Sequence, residues 1–268
     1  MYDFSYHRPS DLDAAAAIVG AHDDYKLLAG GMSLIPSLKM RLARYPGIVD
    51  LAGLDALRGI QRSGTTLLIG AMTPHAEVAA SAEVAGAIPA LAVLAEGIGD
   101  PLVRNRGTIG GSIANADPAA DYPAALLGLD ALVITNRREI GADDFFLGLF
   151  ETALEPGEII TAVRFPIPQA AGYCKYPQPA SRFALVGVFV SKLAECVRVA
   201  VTGAAPRVFR LGDAERALGG NFHPAAIERL AVGHDGFNSD IHASAQYRAH
   251  CMAVLAGRAV ASALRATA

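Results

Sequence analysis

A glycine-rich segment over residues 97–121 places the strongest constraint on how this chain can fold. It holds five glycines, two prolines and three aspartates, and a helix-like apolar run lies on each side of it. Gly110 and Gly111 carry no Cβ, so their backbone can approach another group closely and can adopt positive φ. A second glycine pair, Gly30 and Gly31, lies far upstream. We expect the fold to bring these two glycine turns face to face.

The upstream pair sits between a predicted strand and a predicted helix. Residues 26–29 are typical of a short buried strand, and Ser33 is a candidate cap for a helix over residues 36–42. A strand that leads through glycines into a helix is the order found in anion-binding loops. The G-x-G-x-x-G fingerprint is absent from the sequence, and an ordinary turn explains two adjacent glycines equally well. The occupant that we expect between the two turns is a dinucleotide diphosphate.

Composition narrows the class of protein. The 268 residues are 52% apolar and 18% charged, enough for two domains or one large one with a substantial core. The formal net charge of −3 gives no basic surface, which argues against nucleic-acid or anionic-membrane binding. The N-terminal residues lack the pattern of a signal peptide, and the longest apolar run, about residues 183–190, is too short to span a bilayer. The expected compartment is the cytoplasm.

The cysteines and histidines predict no metal site. Cys174, Cys196 and Cys251 are widely separated, and the sequence has no C-x-x-C motif that would hold an iron–sulfur cluster or a structural zinc. An odd number of cysteines in a chain without a secretion signal indicates reduced thiols. The seven histidines have no metal-ligand spacing.

Periodicity predicts an α+β fold, because strands and helices are mixed without strict βαβ alternation. We divide the chain into residues 1–174, with subdomains of about 1–55 and 56–174, and a C-terminal unit, residues 175–268, built as a small antiparallel sheet with helices. Predicted helices cover residues 11–21 (with Ser10 as cap), 73–80 (with Thr73 as cap), 83–96, 122–129, 223–231 and 243–266. Predicted strands cover residues 47–50, 60–62, 66–70, 132–135, 138–141, 159–165, 183–192, 196–203 and 207–211.

With these residues set out, the chain resembles the FAD-binding medium subunit of molybdenum hydroxylases, the carbon monoxide dehydrogenase and xanthine dehydrogenase superfamily. The resemblance covers nearly the full length, and the Thr-Ile-Gly-Gly stretch is its most specific motif. It implies that FAD lies between two α+β subdomains of the vanillyl-alcohol-oxidase/para-cresol-methylhydroxylase type, followed by a sheet-plus-helix domain. The matching segments are residues 28–34, 99–112, 116–121, 157–160, 175–181 and 240–248.

The resemblance also implies which residues bind FAD. In both loops, backbone amides and the hydroxyls of Ser33, Thr108 and Ser112 would donate to diphosphate oxygens. Met32 stands where Gln, His or Thr is frequent in the family, so a side-chain contact is not expected there. The first loop comprises Leu28, Ala29, Gly30, Gly31, Met32, Ser33 and Leu34, and the second comprises Thr108, Ile109, Gly110, Gly111 and Ser112.

Four further positions match family residues near FAD. Asp121 would accept from FAD hydroxyls, Ile160 would lie near the flavin, and Lys175 would place a positive charge at the pyrimidine edge of the ring. Asn115 replaces a common His and is a further candidate contact. Without the resemblance, the commoner explanations are a helix cap for Asp121, core packing for Ile160 and a surface charge for Lys175.

The implied function is that of an FAD-carrying electron-transfer subunit, which does not itself hydroxylate substrate. It would join a molybdopterin-binding large subunit and a [2Fe–2S] small subunit in a heterotrimer that can itself dimerise, and pass electrons to NAD⁺, a quinone or O₂. One alternative is a stand-alone FAD-dependent oxidase or reductase, and another is an assembly module that has lost FAD. The oxidase would need a base near the flavin, and we interpret Tyr173 and Tyr176 as packing aromatics.

Overall fold

The computed structural model describes residues 1–266, and the chain forms three principal sheets in sequence order. The first is a small parallel sheet in the order β1-β3-β2. Apolar residues of the first helix, Ala15 and Val19, pack with Val49 of the central strand. Its elements are β1 (Ser5–His7), α1 (Leu12–Ala21), β2 (Lys26–Leu28), α2 (Leu34–Lys39) and β3 (Gly47–Asp50).

The second sheet is antiparallel and has the order β4-β5-β10-β6-β7. Six helices enter between its second and third strands in sequence. Five of them contribute buried residues to one core with the alternating apolar face of the sheet, which includes Leu67, Val163 and Phe165. Its strands are β4 (Ile60–Ser63), β5 (Thr66–Gly70), β6 (Leu132–Thr135), β7 (Glu139–Gly141) and β10 (Ile160–Pro166), with a hairpin of β8 (Phe146–Gly148) and β9 (Glu151–Thr152) beside it. The helices are α3 (His75–Ala80), α4 (Ala82–Ala87), α5 (Pro89–Glu96), α6 (Pro101–Arg106), α7 (Ile109–Asn115), α8 (Tyr122–Gly128) and α9 (Ala142–Phe145).

The third sheet is antiparallel with its strands in sequence order, and one long helix covers it. A Cβ on Gly172 would overlap the carbonyl oxygen of Ala259, so a glycine is required where helix and strand approach most closely. The elements are β11 (Ala170–Pro177), β12 (Ala184–Lys192), β13 (Val197–Thr202), β14 (Phe209–Arg210), α10 (Gly212–Gly220), a 3₁₀ turn (Pro224–Ile227) and α11 (Ala245–Arg265). This arrangement of helices and sheets confirms the α+β prediction.

Three helix caps differ from the sequence predictions. The cap of α1 is Asp11, not Ser10, because Asp11 Oδ1 accepts from the Ala14 N–H at 2.8 Å. Thr73 does not cap α3, since its hydroxyl donates to the Gly59 carbonyl instead. Ser33 precedes α2 without any side-chain cap bond.

The C-terminal helices also differ from prediction. The helix predicted over residues 223–231 is only a 3₁₀ turn. Sequence periodicity predicts an apolar face of α11 at Tyr247, Cys251, Val254 and Leu255. Leu255 is buried as predicted, whereas Tyr247 and Val254 are exposed. The buried face combines larger apolar side chains with alanines, and an alanine, Ala259, stands where the helix comes closest to β11. The predicted boundary at residue 174 falls inside β11, and the division into domains stays a prediction.

Among the described residues, no helix combines the length and apolar character needed to cross a membrane.

A buried carboxylate joins the ends of β6 and β10. Glu158 receives two N–H groups of Arg138 at 3.0 Å, the Thr135 hydroxyl at 2.8 Å and the Glu155 N–H at 2.9 Å. These bonds, led by those from Arg138, lower the pKa of Glu158 from 4.5 to about 2. Because the folded-state pKa is depressed, the carboxylate contributes stability above pH 4.5 that is lost as the pH falls towards 2.

Glu158→Gln should lower the free energy of unfolding at pH 7 by about 2 kcal/mol, because it removes the buried charge that accepts two N–H groups of Arg138 and leaves Arg138 only the longer ion pair with Glu155. The variant should also lose part of the pH dependence of stability below pH 4.5. Urea unfolding at several pH values measures both effects. Glu155→Gln is the matched control, since the Glu155 side chain is 59% exposed and its ion pairs are longer. Equal losses in the two variants would contradict the prediction.

Candidate functional site

The two glycine turns are in direct contact, although about eighty positions separate them in sequence. A Cβ on Gly30 would overlap the carbonyl oxygen of Arg106 and would lie 2.7 Å from the Gly107 Cα. A Cβ on Gly111 would lie 3.3 Å from the Ala29 Cβ. Backbone therefore meets backbone where the turns touch, and the predicted convergence of the two turns is confirmed.

The first turn presents a row of unpaired amides. Within the described part of the chain, the N–H groups of residues 29–34 have no hydrogen-bond acceptor. Gly31 adopts a φ of +75°, which lets the chain turn there without strain. Met32 and Ser33 are exposed, and the other residues of the turn are half-buried. Successive free amides in a turn are suitable donors to an anion.

The second turn has no such free amides at its glycines. Gly110 N–H donates to the Ala71 carbonyl at 2.8 Å, and Ile109 N–H donates to the Thr73 carbonyl at 3.2 Å. A Cβ on Gly110 would lie 2.6 Å from the Ala71 Cβ, so this glycine is required for packing on the end of β5. The donor role predicted for the Gly110 amide is therefore wrong.

The remaining donors of the second turn are hydroxyls. Thr108 caps α7, since its Oγ1 accepts from the Gly111 N–H at 3.1 Å, so the amide-donor prediction is also wrong for Gly111. The Thr108 hydroxyl keeps its own proton available to donate. Among the described residues, the half-buried side chains of Ser112 and Asn115 have no hydrogen-bond partner. Both are free to bind a polar ligand.

Asp121 and Lys175 form a buried ion pair. Lys175 Nζ lies 2.9 Å from Asp121 Oδ1 and 3.0 Å from Oδ2. It also donates to the carbonyls of Gly97 and Arg182, each at 2.9 Å. Asp121 makes no cap bond to α8, and the Lys175 side chain is 9% exposed. The interpretations of Asp121 as a helix cap and of Lys175 as a surface charge are both excluded.

Tyr173 is a third member of this cluster. Its hydroxyl donates a short hydrogen bond to Asp121 Oδ1. Burial raises the pKa of Asp121, and the Lys175 charge and the Tyr173 hydroxyl oppose that rise. Burial and the Asp121 charge raise the pKa of Tyr173 well above its usual range, so the phenol stays neutral. The interpretation of Tyr173 as a packing aromatic is incomplete, since its hydroxyl also binds Asp121. The Tyr-x-Lys spacing could have indicated the contact, because alternate residues of a strand share a face.

The third sheet also holds the segment that leads into Asp121. The Thr202 hydroxyl lies 2.8 Å from the Pro118 carbonyl and 2.7 Å from the Ala120 carbonyl. Gly203 N–H donates to the Pro118 carbonyl at 2.7 Å. The position of Asp121 is therefore set from the C-terminal sheet, by backbone bonds as well as by side chains.

Three predicted residues lie at the margins of this arrangement. Leu28 ends β2 and Leu34 begins α2, and both are half-buried. Ile160 begins β10, is 5% exposed and packs in the core of the second sheet. The flavin contact of Ile160 stays a prediction.

A buried histidine lies beneath the second turn and was not identified from the sequence. His75 N–H donates to the Gly107 carbonyl at 2.9 Å, and a Cβ on Gly107 would lie 2.6 Å from His75 Nε2. Burial, aided by the Arg104 charge, lowers the pKa of His75 to about 4. The imidazole is therefore neutral at pH 7. The sequence carried no signal for this residue, since its placement depends on the contact between distant segments.

The geometry fits FAD. The amides of the first turn and the hydroxyls of the second suit a diphosphate, and Asp121 offers a carboxylate for sugar-type hydroxyl groups. Gly30 lets the two turns come close enough to share one ligand, because any larger residue would place a Cβ on the Arg106 carbonyl and push the turns apart. No group of three or more metal-ligating side chains occurs among the described residues.

Comparison with known proteins gives the same family throughout. The profile of the FAD binding domain in molybdopterin dehydrogenase matches residues 2–168. The nicotine 6-hydroxylase medium subunit of Paenarthrobacter nicotinovorans is 35% identical over 260 residues, which cover 91% of each chain. The carbon monoxide dehydrogenase medium chain of Hydrogenophaga pseudoflava is 38% identical over 242 residues, or 85% of this chain and 84% of the relative.

Solved structures agree with the sequence matches over the full chain. Carbon monoxide dehydrogenase from Hydrogenophaga pseudoflava, in a form that lacks the Mo-pyranopterin moiety, superposes with a TM-score of 0.89 and 34% identity, covering 100% of this chain and 99% of that one. Quinoline 2-oxidoreductase from Pseudomonas putida 86 superposes with a TM-score of 0.89 and 28% identity, with the same coverage. The chain therefore belongs to the FAD-binding medium subunits of the molybdenum hydroxylases, and it is a flavoprotein oxidoreductase subunit whose cofactor is FAD.

Proposed function

We propose that this chain is an electron-transfer subunit that takes electrons from the [2Fe–2S] clusters of a small subunit and passes them to an external acceptor. The observation that carries the proposal is the contact of an open amide turn, residues 29–34, with the second glycine turn. This contact forms a cradle for a diphosphate, and the buried Asp121–Lys175 pair adds a polar site for the rest of the cofactor. When bound, FAD supplies the ability to exchange single electrons with the iron–sulfur clusters and electron pairs with the external acceptor.

Each residue of the cradle has one task in this proposal. The amides of residues 29–34 hold the diphosphate, and the hydroxyls of Thr108 and Ser112 donate to it from the opposite turn. Asp121 accepts from a hydroxyl group of FAD. All three N–H groups of Lys175 are already used by protein oxygens, so its contribution to the flavin is its charge rather than a hydrogen bond.

The partners that we propose are a molybdopterin-binding large subunit and a [2Fe–2S] small subunit, assembled as a heterotrimer. Relatives at 35% and 38% identity are named a medium subunit and a medium chain, and a third, 34% identical, is named subunit alpha of the 6-hydroxypseudooxynicotine dehydrogenase complex. These names support a place in a multi-subunit enzyme.

Purification of the tagged chain from its native host tests the proposal. We expect subunits that contain molybdenum and iron to co-purify, with one FAD per chain, and we expect the small subunit to reduce that FAD. The isolated chain should not turn over an organic substrate. Turnover by the chain alone would favour the stand-alone oxidase, and absence of FAD from the intact complex would favour an assembly module.

Gly30→Ala should weaken FAD binding by about tenfold or more, because the added Cβ overlaps the Arg106 carbonyl and forces the two turns apart. Titration with FAD, followed by quenching of flavin fluorescence, measures the loss. Gly86→Ala is the control, since it lies in α4 and a Cβ there meets no atom within 4 Å. A wild-type affinity for FAD in the Gly30→Ala variant would contradict a role of the first turn in FAD binding.

A further inference from the structure

We propose that Tyr173 is a positioning residue for FAD, whose hydroxyl fixes the orientation of the Asp121 carboxylate and keeps one of its acceptor positions open for the cofactor. The inference rests on the FAD-binding role proposed above for Asp121. It adds a residue from the C-terminal sheet to the site, and it gives Asp121 a defined geometry rather than only a charge.

The acceptor positions of Asp121 show how much room is left. A carboxylate has about four lone-pair positions, two on each oxygen. Oδ1 accepts from the Tyr173 hydroxyl, and Oδ2 accepts from Lys175 Nζ at 3.0 Å. The other two N–H groups of Lys175 go to the carbonyls of Gly97 and Arg182. Each oxygen of Asp121 therefore keeps an acceptor position, and a hydroxyl group of FAD can use one of them.

Lys175 alone does not fix the orientation of the Asp121 carboxylate. Its Nζ lies 2.9 Å from one Asp121 oxygen and 3.0 Å from the other, so the ammonium group treats the two almost equally. An ammonium group is a compact charge with weak directional preference. The Tyr173 hydroxyl contacts Oδ1 only, and this contact distinguishes the two oxygens.

The sheet is built to hold the Tyr173 hydroxyl in place. Tyr173 is 9% exposed, and its ring packs against Phe189 on the neighbouring strand, with ring centroids 6.1 Å apart. A Cβ on Gly187 would lie 2.6 Å from the Tyr173 hydroxyl oxygen. Glycine on β12 therefore provides the space that the hydroxyl occupies, and the phenol has little freedom to turn away from Asp121.

The charges around Asp121 give the proposal a pH signature. The titratable groups that face it are Tyr173 and Lys175 from β11 and Tyr122 from α8, and the Gly97 turn contributes only a carbonyl. Two groups, Lys175 and Tyr173, lower the pKa of Asp121, and removal of the Tyr173 hydroxyl deletes the contribution of one of them. Asp121 then takes up a proton at a higher pH, and FAD binding weakens at a higher pH on acidification.

The test is Tyr173→Phe in the full chain, purified with its accompanying subunits, stripped of FAD and titrated with FAD between pH 5 and pH 8. We expect about tenfold weaker binding at pH 7, and an acid-side loss of affinity that begins at higher pH than in the wild type. Gly187→Ala, which crowds the same hydroxyl, should shift the profile in the same direction. Tyr176→Phe is the matched control, since Tyr176 lies on the same strand, is 44% exposed and contacts Tyr247.

The outcomes separate this inference from the proposed function. A Tyr173→Phe protein that is less stable to urea but has the wild-type FAD affinity and pH profile would overturn the inference. The Asp121→Asn variant distinguishes failure of the role proposed for Tyr173 from failure of the role proposed for Asp121. If it weakens FAD binding while Tyr173→Phe does not, Asp121 keeps its role and only the positioning role of Tyr173 fails. If Asp121→Asn binds FAD as the wild type does, both proposals for this cluster fail.

Discussion

The structure depends on one close approach, that of the Gly30 backbone to the Arg106 carbonyl. This contact joins the small parallel sheet to the helices that precede the second glycine turn, and no side chain can be placed there. Such a close backbone contact is possible only with glycine, because any Cβ would occupy the volume of the neighbouring carbonyl. A ligand that touches both turns therefore lies between the small parallel sheet and the helices around the second glycine turn.

The third sheet supports the same site from the other side. It supplies Lys175 and Tyr173 to Asp121, and it supplies Thr202 to the backbone that precedes Asp121. A buried carboxylate is costly unless it is paired and hydrogen-bonded, and here both conditions are met by residues more than fifty positions away in sequence. The C-terminal residues thus fix the side chain of Asp121, the residue that we propose as a contact of FAD.

Sequence patterns predicted what local chemistry determines. The strands β3 and β5 begin and end where their apolar runs do, and the order of strand, glycines and helix at Gly30 was readable from the chain. The hydrogen bond of the Gly110 amide could not be predicted, since its acceptor is the carbonyl of Ala71, just after β5, which only the folded chain brings near. The contact face of α11 was predicted only in part, because the apolar pattern also included Tyr247 and Val254, which lie on the exposed side of the folded helix.

The contrast between the two turns follows from a simple requirement. Backbone N–H groups that are buried must be paired, so the buried second turn uses the amides of its glycines within the protein and keeps a fixed shape. The first turn is partly exposed, where water can satisfy its amides until an anion replaces it. The second turn therefore has its glycine amides paired within the protein, whereas the first turn offers free amides to a ligand. A ligand that binds these free amides in the folded protein but not the unfolded chain must stabilise the fold, and it does so at the contact between the two glycine turns.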